Sequence, residues 1–250
     1  MNSLTLRGVS KRFGGLVAVR DVNLDIAYGE RRALIGPNGA GKTTLFNVIA
    51  GDLPVTGGRI LLFGTDVTRM PSHKRVELGL RRTYQTSALF DALTVRENLY
   101  LAVAGPRGGH LDMVTLATRD SRVMSRVEDV AGSLGLADRL EALAGDLSHG
   151  ERRQLEFGIA IAWQPRLVML DEPAAGLSPD ERKDVMRFLS ALPRDITLVL
   201  IEHDMDIALN VAERATVLHE GSVVAEGTPS EITSNALVQE VYLGGVLNGR

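Results

Sequence analysis

The sequence predicts an α/β fold with a buried parallel sheet, a β-rich opening and an inserted helical lobe, on three observations. Residues 167–170 and 196–201 are continuous apolar runs, each ending in acidic residues, and 180–192 between them has helix composition and spacing. Apolar strands alternating with helices make a parallel sheet covered on both faces. Short β-like runs open the chain at 4–7, 22–26, 32–35 and 59–63, separated by Gly-rich or charged turns. From Thr86 to about Ala162 the apolar spacing changes to three and four, as in Val123, Val127, Val130, Ala131 and Leu134.

The remaining elements follow in order. Residues 44–50 and 151–162 read as helices. Residues 216–226 read as a hairpin turning at Glu220-Gly221, and 230–241 as a final helix capped by Ser230. Gly105-Pro106-Arg107-Gly108-Gly109 reads as a flexible surface loop. The expected organisation is one domain over 1–250. Its core lobe comprises 1–85 and 163–229, its helical lobe 86–162, and its C-terminal helix and tail 230–250.

Composition narrows the function. The chain has 250 residues, 44% of them hydrophobic, enough for a sizeable core without staples. Its lack of cysteine removes disulfides, thiolate catalysis and Cys-based zinc sites. With 28 Lys+Arg against 31 Asp+Glu, net −3, a protein that coats nucleic acid is not expected. The first residues lack the apolar stretch of a signal peptide, and no run of about 18 apolar residues occurs, so neither export nor membrane crossing is expected.

The chemistry starts at Gly36-Pro37-Asn38-Gly39-Ala40-Gly41-Lys42-Thr43, which fits G-x-x-x-x-G-K-[ST] between an apolar strand and a helical run opening at Thr44. Glycines 36, 39 and 41 let the backbone wrap phosphate oxygens and turn N–H groups inward, while the helix adds its positive dipole end. Lys42 reaches toward β- and γ-phosphates, and Thr43 offers a hydroxyl to Mg²⁺. Asp171 and Glu172 end an apolar strand, at the sheet edge where ligands of open α/β folds bind. Neighbouring strand residues point opposite ways, so Asp171 is assigned to the Mg²⁺ shell and Glu172 to the attacking water. Ser148, on its own, reads as an N-cap opening a helix.

Between the two phosphate-site motifs, Leu147-Ser148-His149-Gly150-Glu151 resembles the signature motif of ATP-binding-cassette (ABC) ATPases, usually Leu-Ser-Gly-Gly-Gln. His149 replaces the first glycine and Glu151 the glutamine. The resemblance implies a P-loop NTPase cassette whose mixed β core joins a parallel sheet to an antiparallel β subdomain, with a helical signature subdomain inserted. It also implies ATP and Mg²⁺ as cofactors. Nucleotide binding is carried to Phe13 (adenine stacking), to Gly36, Pro37, Asn38, Gly39, Ala40, Gly41, Lys42, Thr43 and Thr44, and to Ser148, Gly150 and Glu151. Gln85 resembles the glutamine that ligates Mg²⁺ beside Thr43 and Asp171, and His203 the switch histidine that contacts the γ-phosphate. Gly176-Leu177-Ser178 stands in the place of the D-loop, with Ser178 where Asp is usual.

In that family each signature motif covers nucleotide on the opposite subunit, so the expected assembly is a homo- or heterodimer with a second cassette. Transmembrane permeases are expected to dock near Gln85, a periplasmic solute-binding protein to act indirectly, and nucleic acid to play no part. Phe13-Gly14-Gly15-Leu16, Glu97-Asn98-Leu99, residues 102–139, Ala174-Ala175-Gly176-Leu177, Ile201-Glu202-His203-Asp204-Met205 and Val241-Tyr242-Leu243-Gly244 are similar to ATP-binding subunits of branched-chain amino-acid uptake systems. That implies a peripheral protein at the cytoplasmic face of a bacterial inner membrane. Urea-uptake and lipopolysaccharide-export ATPases share several of these tokens. A soluble ABC ATPase acting on DNA or ribosomes lacks its expected coiled-coil insertion or basic stripe here, and a P-loop kinase or GTPase needs no signature motif.

Overall fold

The computed structural model describes residues 1–83, 89–104, 121–202 and 204–247. The Gly105 to Gly109 loop lies outside them. Two compact units result: Met1–Arg82 with Arg166–Ala174 and Leu192–Arg250, and Thr83–Pro165 with Ala175–Ala191.

The first unit contains two sheets. Strands β1 (Asn2–Phe13) and β2 (Leu16–Ala27) form a long antiparallel hairpin, extended by β4 (Gly57–Leu62) and β5 (Thr65–Asp66) in the order β2-β1-β4-β5. The hairpin is longer than the sequence reading, which stopped the first strand at Arg7. Register shifts between Leu6 and Arg12 carry β1 past the break in its alternation. The second sheet runs β10-β9-β3-β8-β7-β6, from β3 (Arg31–Ile35), β6 (Leu80–Arg82), β7 (Leu167–Asp171), β8 (Thr197–Ile201), β9 (Arg214–His219) and β10 (Ser222–Gly227). Every pairing in it is parallel except β10 with β9. β3, β7 and β8 are buried along their whole length, which is why β7 and β8 read as mostly apolar runs; β3 also buries the two arginines that open it, Arg31 and Arg32.

Helix α1 (Lys42–Ala50) presents Leu45, Phe46 and Ile49 to a core shared with Leu4, Leu6 and Ile26 of the antiparallel sheet and Met169, Val199 and Ile201 of the parallel one. Its C-terminal carbonyls are held by a buried arginine. Arg75, on α2 (Ser72–Glu77), donates from Nη1 to the Val48 and Ile49 carbonyls at 2.9 and 2.7 Å, and from Nε to Met70 O at 2.9 Å. Arg75→Ala removes these hydrogen bonds, leaving Val48 O only its bond from the Gly51 amide, and opens a cavity, so unfolding free energy should fall by roughly 3 kcal/mol. The thermal midpoint should drop by about 6–12 °C. A drop under about 2 °C would show that α1 does not depend on this arginine.

After α7 (Met205–Val211) and the β9–β10 hairpin, the chain ends in two helices, α8 (Pro229–Ser234) and α9 (Ala236–Leu247). This corrects the single helix of 230–241. Thr228 rather than Ser230 is the cap, in a capping box with Glu231 and with Pro229 at the first helical position. Asn235 interrupts the run because its side chain accepts the Leu237 and Val238 amides and so starts α9.

The second unit is helical: α3 (Val95–Ala104), α4 (Ser121–Ser133), α5 (His149–Ile161) and α6 (Pro179–Ala191). α4 buries Val123, Val127, Val130 and Ala131, the stripe read from the sequence. α5 begins two residues before the expected Glu151. α6, placed by the sequence reading in the core lobe, clusters with this unit, whereas the C-terminal helices cluster with the sheets.

Candidate nucleotide site

Residues 36–41 leave the C-terminal end of β3 and turn into α1. The turn depends on close backbone approach. A Cβ on Gly36 would lie 2.1 Å from the Leu218 carbonyl oxygen, and one on Gly41 (φ 97°) 2.3 Å from that of Ala18. Lys42 is buried at the first position of α1, its Nζ donating to the Gly36 and Pro37 carbonyls at 2.6 and 3.0 Å. Burial pushes its ammonium below the ordinary lysine range, while the charges of Glu172 and Asp171 act in the opposite sense.

The two carboxylates lie at the same edge of the sheet, Asp171 as the last residue of β7 and Glu172 just past it, beyond the reach of strand alternation. Asp171, the last residue of β7, is 2% exposed. Glu172 adopts a left-handed backbone (φ 47°), costly for a side-chain-bearing residue by about 1 kcal/mol. It is held there by its amide donating to Ile201 O at 2.9 Å. Glu172 lines a cleft of about 620 Å³ together with Asn38, Lys42, Thr43 and Thr44. The oxygen donors Thr43 and Asp171 fit a hard cation that takes one or two protein ligands and keeps water and phosphate for the rest. Among the described residues there is no cluster of three or more His, Cys, Asp or Glu of the kind a dedicated protein cage needs.

The opposite wall comes from the β1–β2 hairpin, through Gly15, Leu16, Val17 and Ala18. Phe13 sits at the hairpin tip, 44% exposed, with Lys11 Nζ 4.9 Å from its ring centroid, and lies outside that lining. Gln85 and His203 lie outside the described residues.

Four residues at or near the site were given no role by the sequence reading. Glu220 and Gly221, read only as a hairpin turn, line the cleft, and the Gly221 amide donates to Ala40 O at 3.0 Å while its carbonyl accepts from the Arg20 amide at 2.8 Å. Glu202, 1% exposed, accepts the Ala174 amide at 3.1 Å and so ties the end of β8 to the turn after Glu172. Tyr242 of α9 is raised to about 12 by burial, with the Gly36 amide acting in the opposite sense. The Val241-Tyr242-Leu243-Gly244 run was the only signal for it.

The signature residues lie in the helical unit. Ser148 caps α5 in a capping box: Ser148 Oγ accepts the Glu151 amide at 3.2 Å and Glu151 Oε2 accepts the Ser148 amide at 2.8 Å. Arg139 Nε donates to Glu151 Oε1 at 2.8 Å, so the carboxylate at this position has a structural use. The Ser148 amide, and then Arg139, hold the Glu151 carboxyl below its ordinary value. The cap therefore strengthens folding at neutral pH and is lost as pH falls through that depressed value. Gly150 is buried in the first turn of the helix.

A phosphate loop, a carboxylate pair at the same sheet edge and a capped glycine helix define a nucleotide-binding cassette. The ABC transporter family model matches residues 19–175, and the chain belongs to the ABC transporter ATPases. A second model, for branched-chain amino acid ATP-binding cassette transporters, matches residues 222–247. The chain is 38% identical to the high-affinity branched-chain amino acid transport ATP-binding protein LivG of Escherichia coli, covering 96% of this chain and 97% of that one. It is 36% identical to BraF of Pseudomonas aeruginosa, covering 96% and 97%. It is also 35% identical to the lipopolysaccharide export ATP-binding protein LptB of Acidithiobacillus ferridurans, covering 96% of each. Among solved structures it resembles the ADP conformation of MJ1267, an ABC transporter cassette (TM-score 0.85, 30% identity, 98% and 99% covered). No helix among the described residues is long and apolar enough to cross a membrane.

Proposed function

We propose that this ATPase energises uptake of branched-chain or other hydrophobic amino acids through partner permeases, at the cytoplasmic face of a bacterial inner membrane. The observation that carries the ATPase half is the placing of Lys42, Thr43 and Glu172 on one cleft, with the buried Asp171 adjacent to Glu172 in the chain. The amino-acid half rests on the C-terminal match and on LivG and BraF.

Lys42 exchanges its two carbonyl acceptors for β- and γ-phosphate oxygens, the loop amides cradle the same phosphates, and Phe13 stacks on adenine from the hairpin tip. Thr43 and Asp171, with Gln85, would hold Mg²⁺, which when bound would supply neutralisation of phosphate charge. Glu172 accepts the proton of the attacking water, and His203 contacts the γ-phosphate. Ser148, Gly150 and Glu151 present the N-terminus of α5 to nucleotide on a second cassette, of the same or another kind, arranged head to tail. Loss of the γ-phosphate then removes the ligand both chains share, and the pair opens. Permeases docking near Gln85 receive that motion; a periplasmic binding protein selects the solute.

The test is uptake of labelled leucine by bacteria whose own branched-chain uptake ATPase is deleted, carrying this chain with its neighbouring permease genes. Uptake restored by the chain and abolished by Glu172→Gln is the expected result. ATP hydrolysis without leucine uptake would move the assignment to another cargo, with urea and lipopolysaccharide the next to assay.

A further inference from the structure

The N-terminus of α5 is already occupied by a carboxylate of its own chain. Glu181 lies in the first turn of α6. Its Oε2 accepts the Ser178 amide at 2.8 Å and the Ser178 hydroxyl at 2.7 Å, while the Glu181 amide faces Ser178 Oγ at 3.4 Å. The other oxygen is turned to a different helix. A Cβ on Gly150 would lie 2.4 Å from Glu181 Oε1 and 2.9 Å from its Cγ and Cδ, so only a residue without a side chain lets the carboxylate settle there. The hydrogen bonds from Ser178, and then the Gly150 amide and the charge of His149, favour the ionised form of Glu181.

A plain helix cap needs only the Ser178 half of this arrangement. The Gly150 half spans 31 positions of sequence and puts a negative charge against the amide that the proposed reaction reserves for a phosphate. It also supplies, three residues on, the carboxylate missing at Ser178. We propose that Glu181 is a positioning residue that stands in for the γ-phosphate. In the single chain it sits against the Gly150 amide of α5, and it yields that amide when a second copy of this chain brings nucleotide to that helix. The inference rests on the head-to-tail pairing above. Its consequence is a threshold: nucleotide must outcompete a tethered carboxylate before the pair closes, so removing the charge should make closing easier.

The experiment uses the full chain carrying Glu172→Gln, with and without E181Q, which keeps an N3 side chain able to cap α6. Light scattering gives the Mg-ATP concentration for half-maximal dimer, and a fluorescent nucleotide gives affinity in the monomer. E181Q should lower the dimerisation midpoint at least threefold with monomer affinity unchanged; E181D, which restores the charge, should return it toward the parent. An unchanged or higher midpoint in E181Q would reduce Glu181 to a helix cap, as would E181A melting lower while dimerising at the parent's concentration. If the parent bound nucleotide but formed no dimer at any concentration, the pairing itself would fall and the stand-in with it.

Discussion

Glu172→Gln is expected to slow ATP turnover by about 10²–10⁴-fold while leaving nucleotide affinity within about twofold. The substitution is nearly isosteric, so the backbone bond to Ile201 and the packing of the turn are kept. What disappears is proton acceptance at the carboxylate that lines the cleft beside Lys42 and Thr43; Asp171, 2% exposed, is not part of that lining. At 1.36 kcal/mol per decade the predicted loss is about 3–5 kcal/mol of transition-state stabilisation. The proposed ground-state contacts to the phosphates, from Lys42 and the loop amides, are left untouched. Nucleotide is then bound but not consumed, so the closed pair should accumulate and be seen as a doubled mass in light scattering. Turnover within about threefold of wild type would remove Glu172 from the base role.

The turn from β3 into α1 was legible because its shape is written in the backbone: glycines at fixed offsets, then a lysine, leave few other conformations. The carboxylates were legible because the end of an apolar strand is a place as well as a composition. The β1–β2 hairpin was only half legible, since the bulges between Leu6 and Arg12 shift the inward face and break the alternation that marks a strand. The C-terminal helices were misread through a local competition. Ser230 and Thr228 both suit an N-cap, and the choice was set by Pro229 and by Glu231 reaching back to Thr228. Contacts between distant residues left no signal at all. Glu202 meets Ala174 across 28 positions, and the hairpin turn at Gly221 reaches the phosphate loop only because β9 pairs with β3. Glu181 shows the same division within one side chain, a capping motif readable from Ser178 and a second contact, to Gly150, that only folding creates.

Lys42→Ala should abolish most of the stabilisation that nucleotide confers, without unfolding the chain. In the free protein the Lys42 ammonium is pushed down chiefly by burial, so its charge is held at a cost that offsets part of what its hydrogen bonds to the Gly36 and Pro37 carbonyls contribute. The melting temperature without nucleotide should therefore stay within about 3 °C of wild type, a change on the scale of 1 kcal/mol for a chain of this length. With Mg-ATP the balance differs. Each charge-assisted contact from Nζ to phosphate contributes about 1.5–3 kcal/mol, and losing two lowers affinity by roughly 10²-fold or more. At a concentration 100 times the wild-type Kd, nucleotide stabilises wild type by about 2.7 kcal/mol, a rise of about 5–10 °C. The variant, near its own Kd, should gain about 0.4 kcal/mol, a rise of about 1 °C. An equal shift in both proteins would mean that the phosphates are held elsewhere than over Lys42, and the roles of Thr43, Asp171 and Glu172 would fall with it.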